Sequence, residues 1–268
     1  MHTVQRFSRP EMPTVAVMAG TGSDDDYLRR SFGPAVAARG GELRALRPEP
    51  ALVETYLAEL DALAARGTPL LVGGVSIGAV VALSWALRQP PGGPCRGVLA
   101  VLPPWSGAPD DSPAAMSAQL TATAIEEQGL ESAIAAMTAG SPDWLGAELG
   151  RSWRALADRD LPGQLRQAAT LEAPTPQQIS ALIVPLAVVA CPDDPLHPIA
   201  VARRWAAAAP RAVLSEVGLQ EWGRHPRILG EAALTGWSAI GDAAEADPPP
   251  APPPAPAPRA DRSPRDDR

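Results

Sequence analysis

The sequence predicts a doubly wound α/β fold, in which a mostly parallel sheet carries helices on both of its faces. Short apolar stretches alternate with helical periodicities along most of the chain, the arrangement of parallel strands joined by crossover helices. The strand patterns are nearly unbroken apolar runs, as expected where helices cover both faces of a sheet. With 268 residues, 46% of them hydrophobic, the chain is long enough to bury one sizeable core.

The predicted elements follow one another in a regular order. Strands are expected at 15–19, 42–46, 70–74, 98–102, 184–190 and 212–217. Helices are expected at 27–39, 52–66 and 78–87, with a closing helix at 226–240. Each of the first three helices thus follows a strand, as expected for a parallel, doubly wound sheet.

The interval 103–182 interrupts this alternation and is predicted to be a helical cap insertion. It contains amphipathic helical patterns at 114–128, 130–138 and 145–158, separated by Gly and Pro, and no strand pattern. The core is therefore expected to comprise 14–102 and 183–243. Residues 1–13 are expected to be a short leader without the apolar stretch of a secretory signal, and the Pro-rich residues 247–268 a disordered tail.

Composition and charge exclude several classes of function. The net charge is −7 and the pI about 5.0, which disfavours binding to nucleic acid or to an anionic membrane. All 23 basic residues are arginine, so no Schiff-base lysine and no P-loop lysine exists. The two cysteines, Cys95 and Cys191, are too few for a disulfide framework or a cysteine zinc site. We expect a cytoplasmic protein, and the lack of Lys and Asn, whose codons are AT-rich, indicates a gene from a genome of high GC content.

The stretch LVGGVSIGAVV, residues 71–81, is the main candidate for a functional turn. It resembles a phosphate-binding P-loop, but Ala79 and Val80 stand where Lys and Ser/Thr are needed. The first strand leads into another Gly-rich turn, but Asp25 occupies the third glycine position of a dinucleotide-binding motif. Residues 70–87 carry no charge and approach the length of a membrane span, yet a buried strand followed by a buried helix has the same composition. We therefore expect no membrane span.

The remaining interpretation is a nucleophile elbow. Residues 74–78 have the pattern Gly-x-Ser-x-Gly between a predicted buried strand and a predicted helix. In such a turn the serine, here Ser76, is exposed to substrate on a strained backbone, and the N–H of the next residue, Ile77, points at the same site. The pattern predicts a serine nucleophile.

These features resemble the α/β-hydrolase fold superfamily, in particular small bacterial serine hydrolases of the esterase and thioesterase type, over about residues 14–240. The resemblance implies a Ser–Asp–His triad in that chain order. Asp194, followed by Pro198, fits the family's acid motif, with Cys191 replacing its glycine. Asp193 is the alternative acid. Asp110 or Asp111, after the fourth strand, is a third possibility.

The resemblance places the catalytic base after the last strand, where His225 lies. His225 is therefore the predicted base. His197 is the alternative, because it lies three residues after Asp194, although it could instead line the substrate pocket.

The oxyanion hole is expected to use the backbone N–H groups of Thr21 and Ile77. Ala19 stands where the family often has a histidine, so that side chain's supporting hydrogen bond is missing. Trp105 opens the insertion and is a candidate for the substrate pocket.

The function implied is hydrolysis of a small-molecule carboxylic ester or thioester through an acyl-enzyme, without a metal or organic cofactor. The alternatives are an acyltransferase that uses the same triad and a non-catalytic binding protein with this fold.

Overall fold

The computed structural model describes the backbone of residues 12–246 and the side chains of residues 12–241. The predicted leader, apart from its last two residues, and the predicted Pro-rich tail lie outside this range. Within it, six parallel strands form one sheet in the order β2-β1-β3-β4-β5-β6. The strands are β1 (Thr14–Met18), β2 (Leu43–Leu46), β3 (Leu70–Val75), β4 (Cys95–Val101), β5 (Leu186–Ala190) and β6 (Ala212–Glu216). The predicted doubly wound parallel fold is confirmed.

Eleven helices accompany the sheet in the described part of the chain. Those that connect or flank the strands are α1 (Asp25–Ala37), α2 (Leu52–Ala64), α3 (Ile77–Leu87), α9 (Ile199–Ala208), α10 (Leu219–Arg224) and α11 (Arg227–Ala246). The interval between β4 and β5 contains α4 (Pro113–Gln128), α5 (Leu130–Ala139), α6 (Asp143–Ala155), α7 (Leu161–Thr170) and α8 (Pro176–Ile179).

The two faces of the sheet follow from the alternation of side chains along each strand. On β1, Ala16 and Met18 belong to the core shared with α2, α3 and α9. Val15 and Val17 belong to the core on the opposite face, which is formed with α1 and α11. Helices therefore cover both faces, and the inner strands are apolar on both sides.

The uncharged run at 70–87 is divided between two buried elements. Every residue of β3 is buried, and α3 exposes almost none of its surface. Among the residues described, no helix combines the length and the apolar character needed to cross a membrane.

The interval predicted as an insertion is helical, and its first and last segments meet. The backbones of Gly107 and Ala173 exchange two hydrogen bonds, of 2.8 and 3.0 Å. Within the interval, α7 packs against α4 and also reaches α2 of the core.

Candidate active site

The Gly-x-Ser-x-Gly pentapeptide forms a sharp turn between β3 and α3. Ser76 has φ 53° and ψ −115°, a backbone conformation that costs a non-glycine residue about 1–3 kcal/mol. Its backbone N–H donates a 2.8 Å hydrogen bond to the carbonyl of Val101 at the end of β4. The neighbouring strand therefore holds the serine in this strained position, as expected of a nucleophile elbow.

The two glycines of the pentapeptide are required because the backbone of β1 approaches them closely. A Cβ atom on Gly74 would lie 2.5 Å from the carbonyl oxygen of Met18, and a Cβ on Gly78 would contact the same oxygen even more closely. The end of β1 thus packs directly on the turn, which leaves room only for glycine at these positions.

We expect Gly74→Ala to destabilise the protein by roughly 1–3 kcal/mol, because backbone must move to accommodate the methyl group. Urea unfolding followed by circular dichroism would measure the change. Gly241→Ala is the matched control, since a Cβ there meets nothing within 4 Å and alanine favours the helix. Equal stability of the two variants would contradict the close approach.

Ser76 is joined to a histidine and an aspartate by a continuous chain of hydrogen bonds. Its Oγ lies 2.9 Å from Nε2 of His197, and Nδ1 of the same ring lies 2.7 Å from Oδ2 of Asp194. With Asp194 ionised, the ring proton lies on Nδ1, so Nε2 accepts a hydrogen bond from the serine hydroxyl. The three side chains are largely buried.

A tight turn after β5 supports the carboxylate of Asp194. Its Oδ1 accepts a 2.8 Å hydrogen bond from the backbone N–H of Leu196, while Oδ2 faces His197. Burial alone would raise the pKa of Asp194, but the hydrogen bond with His197 and the hydrogen bonds from backbone N–H groups outweigh it and lower the pKa. The carboxylate is therefore held ionised and oriented toward the imidazole.

The histidine in this arrangement is His197, not the predicted His225. His225 lies at the C-terminal end of α10, where its backbone N–H bonds to the carbonyl of Glu221. Its side chain is exposed and makes no hydrogen bond to another described residue. Only two residues separate β6 from α10, so the chain turns into a helix before it can return to Ser76. The sequence feature that could have favoured His197 was its position on the same loop as Asp194, three residues later.

The other candidate acids form no hydrogen bond with the histidine. Asp193 is exposed, although it directly precedes Asp194. Asp110 and Asp111 are also exposed, and none of the three makes a side-chain hydrogen bond within the described part of the chain. Of the alternatives considered from the sequence, Asp194 alone contacts the imidazole.

The loop predicted to form the oxyanion hole, residues 19–23 and called the oxyanion loop below, lies beside Ser76. A Cβ atom on Gly20 would lie 3.3 Å from Cβ of Ser76. The N–H of Thr21 donates to no other described residue, and the N–H of Ile77, as the first of α3, lacks an intrahelical partner. Both groups are therefore free to donate to a ligand, and their role as an oxyanion hole stays a prediction.

Trp105 is buried at the start of the insertion. Its indole N–H donates a 3.0 Å hydrogen bond to the carbonyl of Leu171. This contact ties the start of the insertion to its end, and a role in the substrate pocket stays a prediction. Among the described residues, no group of three or more His, Cys, Asp or Glu side chains is placed to hold a metal ion.

Solved structures of similar architecture place the chain in a fold class. A hydrolase from Pseudomonas aeruginosa PA01 superposes with a TM-score of 0.64 at 18% identity, over 85% of this chain and 90% of that one. A thermophilic esterase from Thermogutta terrifontis gives 0.63 at 14% identity, over 85% and 90%. A bromoperoxidase from Bacillus anthracis gives 0.64 at 12% identity, over 85% and 92%.

The protein therefore has the α/β-hydrolase fold, as the sequence resemblance implied. No protein-family model matches the chain, and no curated protein matches its sequence. At these identities the likeness establishes the fold, while the chemistry must be argued from the site itself.

Proposed function

We propose that the protein is a serine hydrolase that cleaves a carboxylic ester or thioester through an acyl-enzyme. The observation that carries the proposal is the hydrogen-bonded chain from Ser76 Oγ through His197 to Asp194, at 2.9 and 2.7 Å. Such a chain can activate a serine, with the histidine as base and the carboxylate as orienting acid, and so supports the proposal. The hydrolase and esterase among the similar structures support this class of reaction.

In the acylation step, Ser76 Oγ attacks the acyl carbon while its proton passes to Nε2 of His197. The resulting imidazolium is stabilised by the ionised carboxylate of Asp194. The bond between the acyl carbon and the leaving oxygen or sulfur then breaks, and His197 returns the proton to the leaving group.

In the deacylation step, His197 takes a proton from water, whose oxygen attacks the acyl-enzyme. Collapse of the second tetrahedral intermediate releases the carboxylic acid and returns the proton to Ser76. In both steps the N–H groups of Thr21 and Ile77 would stabilise the negative oxygen, and each such donor typically contributes about 10²–10³ in rate.

Intact-mass analysis after incubation with a fluorophosphonate tests the proposal. Ser76 Oγ would displace fluoride from phosphorus, and the native protein should gain one phosphonyl group. Ser76→Ala should gain none, because the attacking atom is absent. A native protein that stays unlabelled, or an adduct that persists in Ser76→Ala, would contradict the proposal.

The leaving-group class requires a second assay. Release of p-nitrophenol from a short p-nitrophenyl ester and release of thiol from a short acyl thioester should both depend on Ser76. The ratio of the two kcat/KM values then assigns the preferred substrate class.

A further inference from the structure

An arginine of the helical insertion reaches across to the start of α1 in the core. Arg151, on α6, donates from its two terminal nitrogens to the two carboxylate oxygens of Asp24, both at 2.8 Å. Asp24 is only 4% exposed and also caps α1 by accepting a 3.0 Å hydrogen bond from the N–H of Tyr27. The bidentate geometry fixes the direction of the pair as well as its distance.

Asp24 directly follows the oxyanion loop. Within the loop, the N–H of Ser23 donates to the carbonyl of Gly20 at 3.0 Å, which closes a turn around Thr21 and Gly22. One end of the loop is held by β1, and the other by the cap and ion pair of Asp24. The position of the Thr21 N–H therefore depends on where Asp24 is held.

A second contact joins α6 to the same loop. Gly22 has φ +75°, and a Cβ atom there would lie 2.6 Å from Nε1 of Trp153. The indole is buried, and its N–H has no hydrogen-bond partner among the described residues. Trp153, two residues after Arg151 on α6, thus packs against the loop through van der Waals contact and not through a hydrogen bond.

Neighbouring charged side chains stabilise the ion pair. Glu148 accepts from Arg151 at 2.6 Å and from Arg30 of α1 at 2.7 and 2.8 Å. Burial alone would raise the pKa of Asp24, but hydrogen bonds from Arg151 and the Tyr27 N–H outweigh it and lower the pKa. Asp24 is therefore a buried anion, and removal of Arg151 would leave its charge without its main partner.

We propose that Arg151 and Trp153 are positioning residues that hold the oxyanion loop from the side of the insertion. The inference rests on the proposed serine hydrolase function. Ala19 cannot supply the side-chain support that the family's histidine implies at that position. Helix α6 instead contacts Gly22 within the loop and Asp24 directly after it. The position of the oxyanion loop is consequently coupled to that of the insertion, so displacement of α6 would also displace the Thr21 N–H.

The test compares two arginine deletions on one helix. Arg151→Ala removes the ion pair with Asp24 of the core, whereas Arg154→Ala removes an exposed ion pair with Glu131 inside the insertion. A displaced oxyanion donor should cost less than the 10²–10³ that loss of one typically costs. We expect Arg151→Ala to lower kcat for a p-nitrophenyl ester, and the rate of fluorophosphonate labelling, by about 10- to 100-fold with little change in KM. Arg154→Ala should match the native protein.

Two conservative variants separate positioning from folding. Arg151→Lys keeps the charge but not the paired geometry, so it should restore part of kcat. Asp24→Asn keeps a good helix cap but weakens the ion pair, so it should lower kcat while the protein stays folded by circular dichroism. Unchanged kcat in a folded Arg151→Ala or Asp24→Asn variant would overturn the inference.

Hydrogen exchange provides a readout that does not depend on activity. Amides in a peptide covering residues 19–28 should exchange faster in Arg151→Ala than in Arg154→Ala, while peptides of α3 should not differ. If the native protein is labelled at Ser76 but this peptide exchanges equally in both variants, the positioning role is overturned and the proposed function stands. A native protein that takes up no label would count against the proposed function and against any catalytic effect of Arg151.

Discussion

Replacement of His197 by alanine should reduce kcat for a p-nitrophenyl ester by about 10⁴- to 10⁶-fold, the range seen when the base or acid of a serine triad is removed. The two ring nitrogens of His197 lie within hydrogen-bond distance of Ser76 and Asp194, Nε2 near the serine and Nδ1 near the carboxylate. Without it, the serine hydroxyl has no acceptor for its proton. Steady-state kinetics with an excess of ester would measure the loss.

His225→Ala is the matched control, because His225 is the histidine at the position where the family resemblance places the base. Its side chain is exposed and forms no hydrogen bond within the described part of the chain, so kcat should be unchanged. The reverse result, with activity lost in His225→Ala and kept in His197→Ala, would mean that the loop after β6 reorganises to reach Ser76. The proposed assignment of the base would then be wrong.

Replacement of Asp194 by asparagine should reduce kcat by about 10⁴-fold while the turn around it stays intact. The amide oxygen of Asn can still accept from the N–H of Leu196, as Oδ1 of Asp194 does at 2.8 Å. The amide nitrogen would then face Nδ1 of His197 and donate to it, which leaves the ring proton on Nε2. In that tautomer the imidazole cannot accept the proton of Ser76.

The adjacent carboxylate provides the control for this substitution. Asp193→Asn removes an equal charge one residue away, at an exposed position without a side-chain hydrogen bond to a described residue. We expect this variant to retain the native kcat and the native labelling of Ser76. Equal losses in the two variants would indicate a general effect of loop charge and would contradict a specific role for Asp194.

The sequence predicted the sheet well because buried parallel strands are continuous apolar runs. The six predicted strands each overlap an observed one, and the first three helices end within two residues of their predicted ends. Helices α7 to α10 were not predicted. The first turn of α7 contains Pro162 and Gly163, which usually break a helix in its interior, whereas Pro is well tolerated at a helix start.

The site was partly predictable for a different reason. Ser76 was predicted as the nucleophile because a strand-to-helix elbow requires glycine at nearby positions, and the structure shows this requirement in the close approach of Gly74 to Met18. Asp194 was predicted as the acid from its position after β5. For the histidine, the sequence favoured His225 in the loop after β6, whereas the hydrogen bonds of the structure favour His197 in the loop after β5.

The sequence by itself determined the alternation of strands and helices, the elbow at Ser76 and the absence of lysine chemistry, because each depends on local residue patterns or on composition. Only the tertiary structure decided that His197 meets Ser76, 121 residues away, and that Arg151 reaches Asp24 across 127 residues. Such contacts depend on the path of loops and on the packing of the insertion over the sheet. Because these contacts depend on packing interactions among side chains that are far apart in the sequence, they cannot be predicted from a local residue pattern.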